Sequence, residues 1–319
     1  MEALPSFYME LGPGTMDEIE TDLFLGGQAA ARNAELLQKN NITHVLSIDI
    51  RPYPATLAAK NNLTTKYVQL MDLPSADLLS HLDDSYNFIA KAQQNGSVLV
   101  HCYFGISRSA SFVIGYLMRK YQMSYDDAYE VVRCKRGIVL PNEGFVAQLR
   151  IYRLMGYRLD KDSIHLKMHR LTVAADSVKR LRVLSKDFLK LIRPDPSNEK
   201  QSSKVNLCRC RKCKRLLATE ANILPHKDKD KICDKMFFME PITWMNVTKS
   251  DRGRLFCPKC SLDVGNFNWV VGNICPCGFR TTPAFCINAS KVEFVAIAGD
   301  VWRRQKGAQI AARDSNFDH

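Results

Sequence analysis

The chain has 319 residues, 46% of them hydrophobic, and a formal net charge of +12. That length suits one large or two modest domains with a real core. No stretch is long and apolar enough to span a bilayer, and the start, MEALPSFYMELGPG, lacks a basic segment followed by an apolar one, so a soluble, unsecreted protein is expected.

Charge and cysteine divide the chain in the same place. Residues 1–160 hold 15 Lys+Arg against 17 Asp+Glu and two Cys, whereas residues 161–319 hold 30 against 16 and nine Cys. A near-neutral first half thus precedes a basic, Cys-rich second half, at −2 and +14. In chain order, TDLFLGG (21–27) predicts a short strand ending in Gly-Gly, and AARNAELLQKNN (30–41) has helical spacing. ITHVLSID (42–49) and TKYVQLMD (65–72) read as strands, and 76–96 as an amphipathic helix capped by Asp77 and stopped at Asn95-Gly96. SVLVH (97–101) is a strand apolar on both faces, and 109–122 and 124–136 are two more helices. Strands alternating with helices predict an α/β domain with a mostly parallel central sheet flanked by helices. RPDPSNEKQSSK (193–204) is Pro-, Ser- and charge-rich and reads as a linker.

SVLVH runs directly into CYFGISR, and then into a helix. Backbone N–H groups in such a loop, with the positive end of the helix, form a concave anion site. Gly105 permits a positive φ or a close approach. Arg108 offers a planar fork of donors that suits two phosphate oxygens. A helix end and a nearby cation favour the thiolate of Cys102, so the loop reads as a phosphate cradle with a nucleophile aimed at phosphorus. Cys134, inside a helix, reads as structural. Asp77 is explained as a cap, which leaves Asp72 as the acid near the loop.

HCYFGISRS resembles the H-C-x5-R-S loop of cysteine-based protein tyrosine phosphatases. LFLGG, Asp72 after a strand and PNEGFVAQL (141–149) resemble the dual-specificity branch. That resemblance implies Cys102 as nucleophile and Arg108 as the ligand of the phosphoryl oxygens. It implies Ser109 as a hydrogen-bond donor to the thiolate and Asp72 as general acid, then general base. His101 and Asn142 would support the loop, and Tyr103, Phe104, Gly105, Ile106 and Ser107 would line the substrate site. Phe104 stands where the family usually has a small residue. Tyr103, Phe104 and Ile106 are uncharged where lipid phosphatases of the superfamily carry basic residues, which favours a phosphoprotein over a phosphoinositide. The domain lacks room for the loops that deepen a tyrosine-only pocket, so phosphoserine and phosphothreonine fit the expectation too.

In the second half the cysteines are spaced as CRKC (210–213), CPKC (257–260) and CPC (275–277), with His226 and Cys233 between them. Thiolates two residues apart are the natural bite for tetrahedral zinc. Cys210 and Cys213 are expected to close with His226 and Cys233, and Cys257 and Cys260 with Cys275 and Cys277, giving two structural sites; interleaved sites are the alternative. Cys208 and Cys286 are spares. Seven thiolates and two Zn²⁺ change the charge of residues 161–319 by −7 + 4 = −3, from +14 to +11. A module still so basic fits an RNA-rich partner. Phe267, Trp269 and Trp244 are available for stacking, although GNFNWVVG reads better as core.

CRKC, MEPITWM, LFCPKC, LDVGNFNW, CPCG and TPAF resemble the dual specificity phosphatase 12 family, atypical dual-specificity phosphatases with a C-terminal zinc domain. The expected organisation is a catalytic domain over 17–157, a helical or flexible linker over 158–205, a small zinc-stabilised β-rich module over 206–301 and a tail over 302–319. The resemblance implies phosphoprotein substrates and a role in late maturation of the large ribosomal subunit, through contact of the zinc domain with pre-60S particles and their rRNA. It also implies that the ribosomal role does not need phosphatase activity, nuclear and cytoplasmic residence, no cofactor for catalysis, and no membrane partner.

Overall fold

A computed structural model describes residues 14–181, 184–198, 207–229 and 231–295. The chain forms two compact units, 1–160 and 161–319. The expected tail over 302–319, residues 182–183, 199–206 and 296–301 lie outside the described residues.

The first unit is built on five strands: β1 (Met16–Glu20), β2 (Leu23–Gly26), β3 (Ile42–Asp49), β4 (Thr64–Gln69) and β5 (Ser97–His101). Their order is β1-β2-β5-β3-β4; β2, β5, β3 and β4 run parallel, and β1 is antiparallel at the edge. β5 is central and wholly buried, as its unbroken apolar run requires of a parallel strand covered on both faces. Helices α1 (Gln28–Arg32) and α2 (Ala34–Lys39) replace the single helix expected over 30–41. Asn33 breaks it: extended at φ −86°, ψ 102°, it caps α2 by accepting the Leu36 N–H at 3.1 Å.

Then come α3 (Ala55–Lys60), α4 (Leu79–Gln93), α5 (Arg108–Tyr121), α6 (Tyr125–Lys135) and α7 (Glu143–Leu154). The regular helix α4 starts two residues after Asp77, whose carboxylate still accepts the Ser80 N–H at 3.1 Å as a cap would. α5 is the hub: every residue from Arg108 to Met118 is buried. Its N-terminus meets the C-terminal end of β5, where an α/β sheet places its ligands.

The second unit is a helix on small antiparallel sheets. Helix α8 (Ile164–Leu181) buries Leu171, Ala174, Ala175 and Val178 in one core with Trp269, Phe285 and Ile287. Five strands, β8 (Ile223–Leu224), β11 (Met236–Met239), β12 (Arg252–Phe256), β13 (Asp263–Asn268) and β16 (Ala284–Asn288), pair in the order β12-β13-β16-β11-β8. β6 (Leu207–Cys210), β7 (Leu216–Thr219) and β17 (Val292–Val295) form a three-stranded sheet. Two ribbons complete it: β9 (Lys227–Asp228) with β10 (Lys231–Ile232), and β14 (Asn273–Ile274) with β15 (Arg280–Thr281).

Much of the expected linker folds with this unit. Lys167 on α8 has a side chain 6% exposed and pairs with Glu240 at 3.0 Å. The Arg193 N–H donates to Pro241 O at 2.8 Å, and Asp195 pairs with Arg215. Residues 193–198, which read as linker from composition, are therefore pinned to strands of the second unit. Trp244, Phe267 and Trp269 are 8%, 4% and 1% exposed, so they serve the core and not stacking.

Candidate functional site

The peptide carbonyls of the loop from Cys102 to Ser107 are held from outside. Cys102 O faces His101 Nδ1 at 3.2 Å, and Tyr103 O accepts from the Gln28 N–H at 3.0 Å. Phe104 O accepts from Arg136 Nη2 at 3.2 Å and Gly105 O from Arg136 Nε at 2.9 Å. Ile106 O accepts from the Leu140 N–H at 2.9 Å, and Ser107 O from the Ser111 N–H and hydroxyl at 2.9 and 2.8 Å. In a trans peptide the N–H opposes the C=O, so outward carbonyls turn the following N–H groups inward. One of them, Gly105 N–H, donates to Cys102 Sγ at 3.2 Å.

Gly105 is required twice over. Its φ is +74°, and a Cβ there would sit 2.5 Å from Gly26 O and 2.9 Å from Arg136 Nη2. Cys102, 2% exposed, also accepts from Ser109 Oγ at 3.2 Å. Two donors, one backbone and one hydroxyl, are thus aimed at one sulfur.

Arg108 stands at the first position of α5, 8% exposed. Its Nη1 donates to Asp49 Oδ1 at 2.8 Å, while its Nε is buried without a hydrogen-bond partner among the described residues and lies 3.7 Å from Asp72 Oδ2. A buried guanidinium N–H left unpaired beside a ring of amides is a donor held for an oxyanion.

Asp72 Oδ1 accepts from the Ser107 hydroxyl at 2.7 Å and from Asn142 Nδ2 at 2.8 Å. Its Oδ2 is the oxygen facing Arg108. Asn142 caps α7 through its Oδ1 to the Phe145 N–H at 2.9 Å, and its own N–H donates to Ser107 Oγ at 3.2 Å. It thus braces the loop by its backbone and the acid by its amide. At Gly144 a Cβ would lie 2.0 Å from Pro74 O, so only glycine lets the segment carrying Asp72 pack this closely on α7.

His101 is 3% exposed. A carbonyl oxygen only accepts, so Nδ1 carries the hydrogen toward Cys102 O and Nε2 accepts from the Ser47 hydroxyl at 2.7 Å. Burial pushes its pKa down to about 4, so the ring is neutral at physiological pH. It orders the loop and holds no proton for the reaction.

Of the lining residues, Gly105 and Ser107 are buried, Ile106 is half-buried and Tyr103 is 48% exposed. Phe104 packs edge-on to Tyr103, ring centroids 4.7 Å apart. Its bulk is taken up by its neighbour.

Two further residues complete the site. Arg136, 2% exposed, binds two loop carbonyls and also Asp17 at 2.6 Å and Thr15 Oγ1 at 3.0 Å. Asp49, 4% exposed, holds Arg108. In the sequence Arg136 looked like one more cation at a helix end. The signal for Asp49 was a carboxylate ending an apolar parallel strand.

In the second unit the metal-ligating residues gather into two sets whose donor atoms lie within 4.8 Å of one another: Cys210, Cys213, Cys257 and Cys260, and His226, Cys233, Cys275 and Cys277. The eight expected residues are all present, but the first-expected partition is corrected. CRKC joins CPKC across 44 residues, with Cys213 Sγ 3.5 Å from Cys257 Sγ and Cys210 Sγ 3.7 Å from Cys260 Sγ. The physical reason is the fold, which carries the chain out through the second set between the two pairs and back again.

The sulfurs fit a metal. Four thiolates around one zinc at ~2.3 Å stand ~3.8 Å apart along a tetrahedral edge, whereas a disulfide needs ~2.05 Å. Cys233 Sγ and Cys275 Sγ are 3.6 Å apart, near the first figure. His226 Nε2 is buried without a hydrogen-bond partner among the described residues, and burial pushes the imidazole pKa down to about 4, which keeps the ring neutral as a ligand must be. Phe279 stacks on it at 4.6 Å and orients it. Both sets are closed by four protein ligands, which is the mark of a structural site. Cys208 and Cys286 belong to neither set and are buried in the core.

Residues 23–154 match the family described as dual specificity phosphatase, catalytic domain. The chain is 36% identical to dual specificity protein phosphatase MPK-4 of Drosophila melanogaster, over 88% of this chain and 88% of that protein. It is 35% identical to dual specificity protein phosphatase 12 of Mus musculus, over 86% of this chain and 87% of that protein. The crystal structure of the Yvh1 phosphatase domain from Chaetomium thermophilum is 32% identical, with a TM-score of 0.42, covering 46% of this chain and 100% of that one. The chain belongs to the dual specificity protein phosphatase 12 family.

Proposed function

We propose that this member of the family hydrolyses phosphotyrosine, phosphoserine and phosphothreonine in proteins through a cysteinyl-phosphate, and that its second unit binds pre-60S ribosomal particles during large-subunit assembly. The observation that carries the first part is the loop with its carbonyls held outward around Cys102 Sγ.

The phosphoryl group sits over the sulfur, its oxygens taking the inward N–H groups and the Nε and remaining N–H groups of Arg108. Cys102 Sγ attacks phosphorus and the ester P–O bond breaks. Asp72 supplies the proton to the leaving oxygen from Oδ2, because Oδ1 already accepts two hydrogen bonds. Water then gives a proton to Asp72 and its oxygen attacks phosphorus; the S–P bond breaks and Ser109 Oγ–H donates to the departing thiolate.

Zinc supplies folding energy to the second unit when Cys210, Cys213, Cys257 and Cys260, and His226, Cys233, Cys275 and Cys277, hold it. Exposed Arg211, Lys212 and Lys259 lie between the ligand cysteines, where they support contact with rRNA phosphates. Among the described residues no helix is long and apolar enough to cross a membrane. Residence in nucleus and cytoplasm follows from the ribosomal reading.

Two measurements test this. The purified chain cleaves an aryl phosphate and Cys102→Ser does not; equal turnover by the variant overturns the chemistry. Full-length protein co-sediments with pre-60S particles and is released by raising salt; no co-sedimentation at low salt overturns the ribosomal reading. If cells relying on Cys102→Ser mature their large subunits normally, catalysis is separate from assembly.

A further inference from the structure

We infer that an apolar rim around the phosphate cradle selects phosphoproteins whose phosphorylated residue is flanked by apolar side chains. The inference rests on the phosphatase reading of the cradle and names its substrate class.

Among the described residues of the first unit, eight large hydrophobics are exposed: Ile50, Tyr67, Met71, Leu73, Tyr103, Tyr121, Val131 and Leu140. Five of them adjoin groups that build the cradle. Ile50 follows Asp49, and its N–H donates at 2.8 Å to the same Asp49 Oδ1 that takes Arg108. Met71 and Leu73 flank Asp72. Tyr103 follows Cys102. Leu140 closes the loop from outside through its N–H to Ile106 O. These residues come from four separate segments: three follow β3, β4 and β5 at one edge of the parallel sheet, and the fourth, between α6 and α7, is tied to the loop by the Leu140 N–H.

Single exposed hydrophobics are ordinary, but an apolar set gathered around a buried cation is not. Ile50, Met71 and Leu140 are 57%, 56% and 62% exposed, so packing within the fold does not account for them. None of the five carries a charge; of the exposed charges beside them, Asp72 is engaged by Ser107, Asn142 and Arg108, and Arg51 and Glu143 oppose each other in sign. A phosphopeptide with acidic or basic flanks gains nothing there. One with leucine or isoleucine beside the phosphorylated residue buries apolar area on both partners, while the phosphate fixes its register.

The test uses the full-length protein with an aryl phosphate and three phosphotyrosine peptides that differ only in flanking Leu, Asp or Lys. It adds phosphatidylcholine vesicles carrying a phosphoinositide. The Leu-flanked peptide is expected to exceed the other two in kcat/KM by about tenfold. Leu73→Gln combined with Leu140→Gln lowers the ratio of Leu-peptide to aryl-phosphate kcat/KM by about tenfold. Equal rates on the three peptides, with the aryl phosphate cleaved, overturn the rim inference and leave the phosphatase reading standing. An unchanged ratio in the double variant also overturns it. Phosphoinositide turnover above that of the Leu peptide overturns it in favour of a lipid surface, and failure to cleave the aryl phosphate overturns both readings.

Discussion

Asp72 uses its two oxygens unequally: Oδ1 is occupied by Ser107 and Asn142, and Oδ2 is left toward Arg108. An amide in its place keeps an acceptor for Ser107 but has no proton to give. Asp72→Asn is therefore expected to lower kcat by about 10²–10⁴ on phosphoserine peptides, whose alkoxide leaves badly, and much less on a nitrophenyl phosphate, whose phenolate needs no proton. Equal losses on both substrates would remove Asp72 from the acid role. His101 makes a stability prediction. Its folded pKa, about 4, lies below the 6.5 of an exposed imidazole, so the fold binds fewer protons than the unfolded chain. That contribution is complete above pH 6.5 and is lost as pH falls toward 4, at a slope of at most ~1.4 kcal/mol per pH unit. All three tryptophans lie in residues 161–319, so fluorescence is blind to this change. Hydrogen exchange in β5 reads it: protection in the native chain drops between pH 7 and 5, and His101→Gln flattens the dependence.

At the scale of elements, what the sequence revealed follows from how local each cause is. β3 and β5 appear with the expected bounds because short runs rich in Val, Ile and Leu have one reading when both sheet faces are covered. α7 was visible only as a family motif, since PNEGFVAQL shows its helical face only once Asn142 is known to cap it. The clustering of Cys102, Arg108 and Ser109 was legible because they share one loop and helix turn. Arg136 was not, because its meaning depends on carbonyls some thirty residues away. α8 falls in the stretch that read as a helical or flexible linker, and its own pattern does not name what it packs on. The choice is made by Lys167, which reaches Ala221 O at 2.8 Å and Glu240 at 3.0 Å with both ion-pair side chains 6% exposed. Lys167→Ala leaves a buried carboxylate that, among the described residues, keeps half-exposed Arg193 as its ion-pair partner, and is expected to destabilise the second unit by about 3–5 kcal/mol. Adding Glu240→Leu to Lys167→Met recovers most of that loss in denaturant midpoints. A loss under ~1 kcal/mol for Lys167→Ala would mean that the helix is not held by this pair.

At the scale of the whole molecule the two units draw stability from different sources. The first has a mostly parallel sheet covered by helices, and the groups proposed for catalysis and their supports Asp49 and Asn142 lie within it. The second has short strands and two closed sets of four side chains that could each hold a metal ion, and metal held there would add to its folding energy. Chelation under reductant is expected to expose Trp244 and Trp269, now 8% and 1% exposed, while aryl-phosphate turnover persists. The crossed pairing of the ligands is tested by counting metal. Cys213 and Cys257 serve one set, and Cys213 and Cys233 serve different sets. Cys213→Ser with Cys257→Ser should then cost one metal equivalent, and Cys213→Ser with Cys233→Ser should cost two. Partition along the chain, with CRKC closing on His226 and Cys233, demands the reverse, because there the first pair of substitutions strikes two sites and the second strikes one. Cys286→Ser, which touches neither set, leaves the count at two. Pairs in one site fail additivity and pairs in separate sites obey it, so metal content decides the topology without appeal to activity.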